Sequence, residues 1–256
     1  MMRKLKYLIP ILLFLSSALF AETKKVYFYT TETNINDFKS LKVNFDRYLK
    51  YYGNYDFQAF NKRPVFEEYL KDKNIIVILS SWHYKQIAKK YNLKAKLVAL
   101  KKESVTDTKI IVGQKGSAYD GTLTTAFSKE YAKKMINKLA PKNTLNLMNV
   151  PKEIDALMSV GFGMSKFALV SKESFELLKQ ANSFLTSKME VYKESKPAFR
   201  MLIASNLKEE YNNKKLLDIF TSMGLKEEGK KILDILGVDG IVMLTKNDLK
   251  QLRETK

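Results

Sequence analysis

The chain has 256 residues, 45 of them Lys or Arg against 27 Asp or Glu, for a formal charge of +18, with one histidine and no cysteine. The lack of cysteine excludes disulfides, thiolate chemistry and lipid attachment at a thiol, and one histidine without cysteine partners gives no support to a zinc site. The positive excess favours anionic contacts, although the lysines are spread along the whole chain and form no single basic block.

The N-terminus, MMRKLKYLIPILLFLSSALFAETKK, has a basic start at Arg3, Lys4 and Lys6, an apolar run from Tyr7, then the small residues Ser16, Ser17 and Ala18. This is the pattern of a cleavable export signal over residues 1–21, with Ala21 as its last residue, and the apolar run is too short for a durable membrane span; the alternative expectation is a leader retained as an N-terminal anchor. Removing its three positive charges from +18 leaves +15 on about 235 residues, enough for one large domain or two lobes. Export argues against a nucleic-acid partner.

Lys25 to Thr30 reads as a strand and Asp37 to Tyr51 as a helix, with Phe38, Leu41, Phe45, Tyr48 and Leu49 at helical spacing. Between them Thr31, Glu32, Thr33 and Asn34 occupy a strand's C-terminal end, the ligand edge of an open α/β sheet. A strand at Tyr55 to Phe60 and a helix from Pro64 to Leu70 follow, the latter with proline in its first turn. Asn74 to Leu79, NIIVIL, is the most β-branched run and the expected central strand. Ser80, Ser81, Trp82, His83 and Tyr84 come directly after it, ahead of a helix reaching Tyr91, and form half of a candidate pocket.

Leu97 to Leu100 is a further short strand, and the polar segment Lys101 to Thr108 is the expected first crossing between lobes. The stretch Lys109 to Tyr131, KIIVGQKGSAYDGTLTTAFSKEY, holds two apolar runs around a Gly-rich turn and then starts a helix at Ser128. A strand running into a helix N-terminus presents unpaired N–H groups to an anion. Strands at Thr144 to Met148 and Lys166 to Val170 alternate with helices at Pro151 to Met158 and Ser171 to Leu178. This rhythm predicts a mostly parallel sheet. Val191 to Pro197 is the expected second crossing. Beyond it lie a strand at Phe199 to Ala204, helices at Leu207 to Met223 and Lys226 to Leu236 broken at Gly224, an extended piece at Ile241 to Leu244 and a last helix at Asp248 to Arg253. Thr245 with Asp248 approximates a capping box.

No nucleophile elbow, P-loop or paired-carboxylate motif is present: GQKGSAYDG lacks the closing Gly-Lys-Ser/Thr, and Asp120 is an isolated acid. The residues therefore read as a binding protein and not an enzyme. Thr124, Thr125 and Ser128 offer hydroxyls, and Lys115 offers charge.

In its C-terminal third the chain resembles the phosphate, phosphite and phosphonate substrate-binding proteins of ABC transporters. The resemblance lies in LLDIFTSMGLKEEGKKILDILGVDGIV, where Glu228, Gly229, Lys230, Ile232, Leu233, Leu236, Gly237, Gly240 and Ile241 follow that family's acidic-Gly-Lys, Ile-Leu and Leu-Gly-x-x-Gly pattern. Lys166 stands where the family has an aspartate, and the serine- and threonine-rich loop is reduced to Gly116, Ser117 and Ala118 or to Thr124, Thr125 and Ser128. The resemblance implies a two-lobed α/β type 2 periplasmic-binding fold with mixed, mostly parallel sheets. Residues 22–104 and 197–256 would form one lobe and 105–196 the other. It further implies a small, phosphate- or phosphonate-like anion held by Tyr29, Thr31, Ser80, Ser81, Tyr84, Ser117, Thr125 and Ser128, no cofactor, and a membrane permease or sensor as partner. The rival expectation is a periplasmic accessory protein that keeps the fold and needs no ligand.

Overall fold

The computed structural model describes residues 23–32, 35, 37–142, 144–208 and 210–254. The leader expected over 1–21, with Thr33 and Asn34 of the first strand-end turn, lies outside them.

The first lobe opens with β1 (Lys24–Tyr29), α1 (Phe38–Lys50), β2 (Tyr55–Ala59), α2 (Arg63–Tyr69), β3 (Ile75–Leu79), α3 (Ser81–Ile87) and β4 (Lys94–Leu100). All five residues of β3 are buried, as a run of Ile, Val and Leu requires in a strand covered on both faces. Helix α1 is capped by the Asp37 carboxylate, which accepts from Ser40 N at 2.7 Å. It buries Leu41, Phe45, Tyr48 and Leu49, and Phe45 stacks on Phe57 of β2 with ring centroids 4.0 Å apart. The helix expected to reach Tyr91 ends at Ile87 and runs on only as hydrogen-bonded turns.

The chain crosses through β5 (Thr106–Asp107) into the second lobe. Its elements are β6 (Lys109–Gln114), β7 (Asp120–Thr125), α4 (Lys129–Leu139), β8 (Thr144–Asn149), α5 (Glu153–Gly161), β9 (Phe167–Ser171), α6 (Lys172–Ala181), α7 (Ser183–Thr186) and β10 (Met189–Glu194). It returns by β11 (Ala198–Phe199), which pairs antiparallel with β5, and finishes with β12 (Leu202–Ser205), α8 (Glu210–Thr221), a 3-10 turn (Met223–Leu225), α9 (Glu227–Leu236), β13 (Gly240–Met243) and α10 (Lys246–Glu254).

The first lobe's sheet has the order β13-β4-β12-β3-β1-β2 and the second's β10-β6-β9-β7-β8. Pairing is parallel where β–α–β units follow one another, as in β2–β1–β3 and β8–β7–β9. It is antiparallel elsewhere, where β12 lies between β3 and β4, β13 on β4, and β6 between β9 and β10. The sheets are therefore mixed and parallel pairing is the minority, unlike the mostly parallel sheet that the strand–helix rhythm predicts. Two differences from the sequence reading follow from polar side chains. Residues 189–194 form an edge strand on β6 despite their charge, because only one side of an edge strand has to be buried. The strand expected over Phe199–Ala204 is split at Arg200 and Met201, where the Arg200 guanidinium leaves the sheet line to reach the second lobe. Thr245 and Asp248 do form a capping box, Asp248 N donating to Thr245 Oγ1 at 3.1 Å and Thr245 N to Asp248 Oδ2 at 2.8 Å. No helix among the described residues is long and apolar enough to cross a membrane.

Candidate functional site

The C-terminal strand ends of both sheets face each other across the two crossings and enclose a cavity of about 510 Å³. The first lobe supplies Thr30, Glu32 and Ser80 from the ends of β1 and β3, together with the C-terminal turn of α9, closed by Gly237 in the left-handed region at φ 67. The second lobe supplies Pro151 to Ile154 at the start of α5 and Ser171, Glu173 and Ser174 at the start of α6. Lys101, Asp107, Lys109 and Arg200 come from the crossings and their flanks.

These charged groups form a bonded cluster. Lys109 is buried, with its Nζ 2.5 Å from Asp107 Oδ2, 3.8 Å from Glu32 Oε2 and 4.6 Å from the centre of the Phe127 ring. Burial works against its charge, and the two carboxylates more than offset that, holding its pKa above the ordinary lysine value. Burial pushes the Glu32 carboxyl up to about 7; Lys109 opposes the rise, while Asp107 and Glu153 add to it. Arg200 reaches Glu173 at 3.1 Å and Asp107 at 4.0 Å, and Lys101 meets Glu173 at 3.2 Å. Glu153 accepts from Ser171 N at 2.5 Å and Ser171 Oγ at 2.7 Å, which ties the starts of α5 and α6 together.

The lobes also touch directly. Ser128 N, at the start of α4, donates to Thr31 O at 2.9 Å. Thr31 Oγ1 accepts from Trp82 Nε1 at 2.7 Å, and the Trp82 ring lies 5.8 Å from Tyr131 and under Lys134 Nζ at 4.6 Å. Arg63 pairs with Glu130 across the same seam. On the far side of this seam a second cavity, about 690 Å³, opens between α3 and α4 and is lined by Ser81, Trp82, Tyr131 and Lys134. Glu32, Asp107 and Lys109 line both cavities and form the wall between them.

Of the eight residues singled out from sequence, Ser80 lines the first cavity and Ser81 the second. Ser80 Oγ lies 3.3 Å from Thr31 Oγ1, and Ser81 Oγ donates to Phe199 O at 2.5 Å. Tyr29 is buried, stacked 5.4 Å from Phe66, and Tyr84 bonds Leu93 O and Ala95 N inside the first lobe. Thr125 donates to Leu169 O at 2.8 Å within the second sheet, and Ser117 sits on the turn between β6 and β7, its N donating to Tyr192 OH at 2.7 Å. Ser128 is the N-cap of α4, its Oγ accepting from Tyr131 N at 3.3 Å. Lys115 is exposed on the same turn as Ser117, and Asp120 is an exposed partner of Lys166. His83 is fully buried, with Nε2 2.9 Å from Glu67 Oε1, and burial lowers its pKa.

Sequence reasoning passed over Asp107, Lys109, Glu153, Glu173 and Arg200. One signal was available: the crossings and their flanks carry Lys101, Asp107, Lys109 and Arg200, opposite charges in segments that must pass between two lobes.

No protein-family model matches the chain, and no curated protein does either. Solved structures do match. The binding-protein component of an ABC phosphonate transporter from Pseudomonas aeruginosa is 16% identical, with a TM-score of 0.59 over 91% of this chain and 85% of that one. A Xanthomonas citri protein solved bound to ATP is 9% identical, with a TM-score of 0.62 over 91% and 96%. A Prochlorococcus marinus protein in complex with methylphosphonate is 13% identical, with a TM-score of 0.59 over 91% and 96%. At these identities the shared property is the fold, the two-lobed α/β architecture of type 2 periplasmic-binding proteins with mixed sheets.

Proposed function

We propose that the chain is a periplasmic solute-binding protein that captures a small molecule in the 510 Å³ inter-lobe cavity and presents it to an ABC permease or a membrane sensor. The observation that carries this reading is the convergence of strand ends and helix starts from both lobes on one cavity whose wall is charged and hydrogen-bonded. The N-terminal pattern of a basic start followed by a short apolar run supports export.

The cavity's charges refine the ligand. Five carboxylates, Glu32, Asp107, Glu153, Glu173 and Asp234, face four basic side chains, Lys101, Lys109, Lys152 and Arg200. A phosphate- or phosphonate-like group would meet Arg200 and Lys101, but a bare anion would also meet the carboxylates. A ligand carrying a cationic group beside its anionic one fits this balance. Binding would draw the lobes together by population shift.

The rival reading, an accessory protein that acts without a ligand, is favoured by the Ser128–Thr31 bond. The helix-start N–H expected to greet an anion is used to join the lobes.

Thermal shift against inorganic phosphate, methylphosphonate, aminoalkyl phosphonates and amino acids separates the two. A rise in melting temperature with one zwitterion, lost in Arg200→Gln, supports solute capture. No rise with any of them moves the assignment to the accessory role.

A further inference from the structure

At the end of the first lobe opposite the inter-lobe cavity, the last residue of β12 is out of balance. Ser205 is 1% exposed and its Oγ has no hydrogen-bond partner among the described residues. A buried hydroxyl left unbonded carries its desolvation penalty with nothing to offset it, so it marks a place where a ligand oxygen would be gained at little cost. It lines a cavity of about 240 Å³ together with Lys94, Lys96 and Lys208 and the amide side chains of Asn92 and Asn206.

The backbone is arranged to put these groups there. β12 pairs with β4 through Ile203↔Leu97 and then Ala204↔Ala95, so Lys96 is the extra residue of a β-bulge. A bulge turns a side chain away from the regular pleat, and this one stands beside Ser205. Asn92, just before β4, is held at φ 52, in the left-handed region. Among the residues whose side chains are described, no carboxylate lines this cavity and none of its three lysines joins an ion pair. The adjoining cavity of about 490 Å³ adds Lys71, Lys73 and Lys90. Its one carboxylate, Asp72, is already held by Lys25 Nζ at 3.0 Å and Tyr27 OH at 2.7 Å.

We infer that the Ser205 cavity is a binding site for a phosphate-class oxyanion, separate from the inter-lobe cavity. Three ammonium groups supply charge, and the Ser205 hydroxyl supplies a buried donor whose own deficit the anion repairs. The volume lies below that of sites for drug-sized ligands and suits a single oxyanion group, free or as the exposed head of a larger molecule such as a phospholipid.

The test is a calorimetric titration of the purified protein with inorganic phosphate, ionic strength being held constant with chloride. Saturable binding is expected, weakened at least tenfold in Lys94→Gln/Lys96→Gln and several-fold in Ser205→Ala. Ser205→Ala removes an unbonded group, so its melting temperature should not fall, which keeps the affinity change interpretable. The lipid source is distinguished by sedimentation with phosphatidylglycerol/phosphatidylcholine vesicles against phosphatidylcholine alone. Vesicle binding lost in the double lysine variant, without saturable phosphate binding, assigns the site to a headgroup. Phosphate or vesicle binding that the double variant leaves intact, binding that disappears with Arg200→Gln instead, or no binding of either probe overturns the inference.

Discussion

Replacing Glu32 by Gln should make the protein's stability less dependent on pH, and the size of the effect can be worked out beforehand. The Glu32 carboxyl is raised from an ordinary 4.5 to about 7, chiefly because it is buried. A displacement from 4.5 to 7 corresponds to about 3 kcal/mol between its charged and neutral forms. The folded protein therefore holds a proton that the unfolded chain releases between pH 4.5 and 7. Stability from this group is full below that window and is lost as pH rises through it. Glu32→Gln has no proton to lose. Urea denaturation followed by circular dichroism should find the variant ahead by no more than about 1 kcal/mol at pH 5. At pH 8 the variant should be the more stable, by up to about 3 kcal/mol. A difference that stays flat from pH 5 to pH 8 would refute the reasoning, since Glu32 would then be either solvated or fully neutralised by Lys109.

Two further substitutions test the packing on which the site rests. Gly229→Ala would place a methyl carbon 2.0 Å from Met223 O, at the joint between the 3-10 turn and α9, and should cost about 3 kcal/mol, read as a lower urea midpoint. Phe45→Ala removes the ring stacked on Phe57 in the first lobe's core and should cost about 3–5 kcal/mol by the same measurement.

The fold was legible wherever a segment buries its own apolar pattern. NIIVIL announces β3, and the spacing of Leu41, Phe45 and Tyr48 announces α1, because those side chains face the core in any arrangement of the sheet. β10 was not legible. Its sequence, MEVYKE, is mostly exposed, and it is a strand only because β6 offers a free edge. The candidate site was legible at the strand ends, where Ser80 and Ser81 follow β3. Its charged wall was not, because Glu32, Lys109, Glu173 and Arg200 meet only after the chain has crossed between lobes twice. Ser128 shows the same limit. A helix-start serine looks identical in sequence whether its N–H awaits an anion or, as here, bonds Thr31 O.

Because Glu32, Asp107 and Lys109 stand between the two cavities, the compartments share a single proton store. Any charge admitted on one side acts on the same Glu32 carboxyl that the other side senses. An anion on either side favours its protonated form, so such binding near pH 7 takes up protons from the buffer. The heat of binding measured for one compartment would then change with the buffer's ionisation enthalpy, and the affinity of each would depend on the charge held in its neighbour.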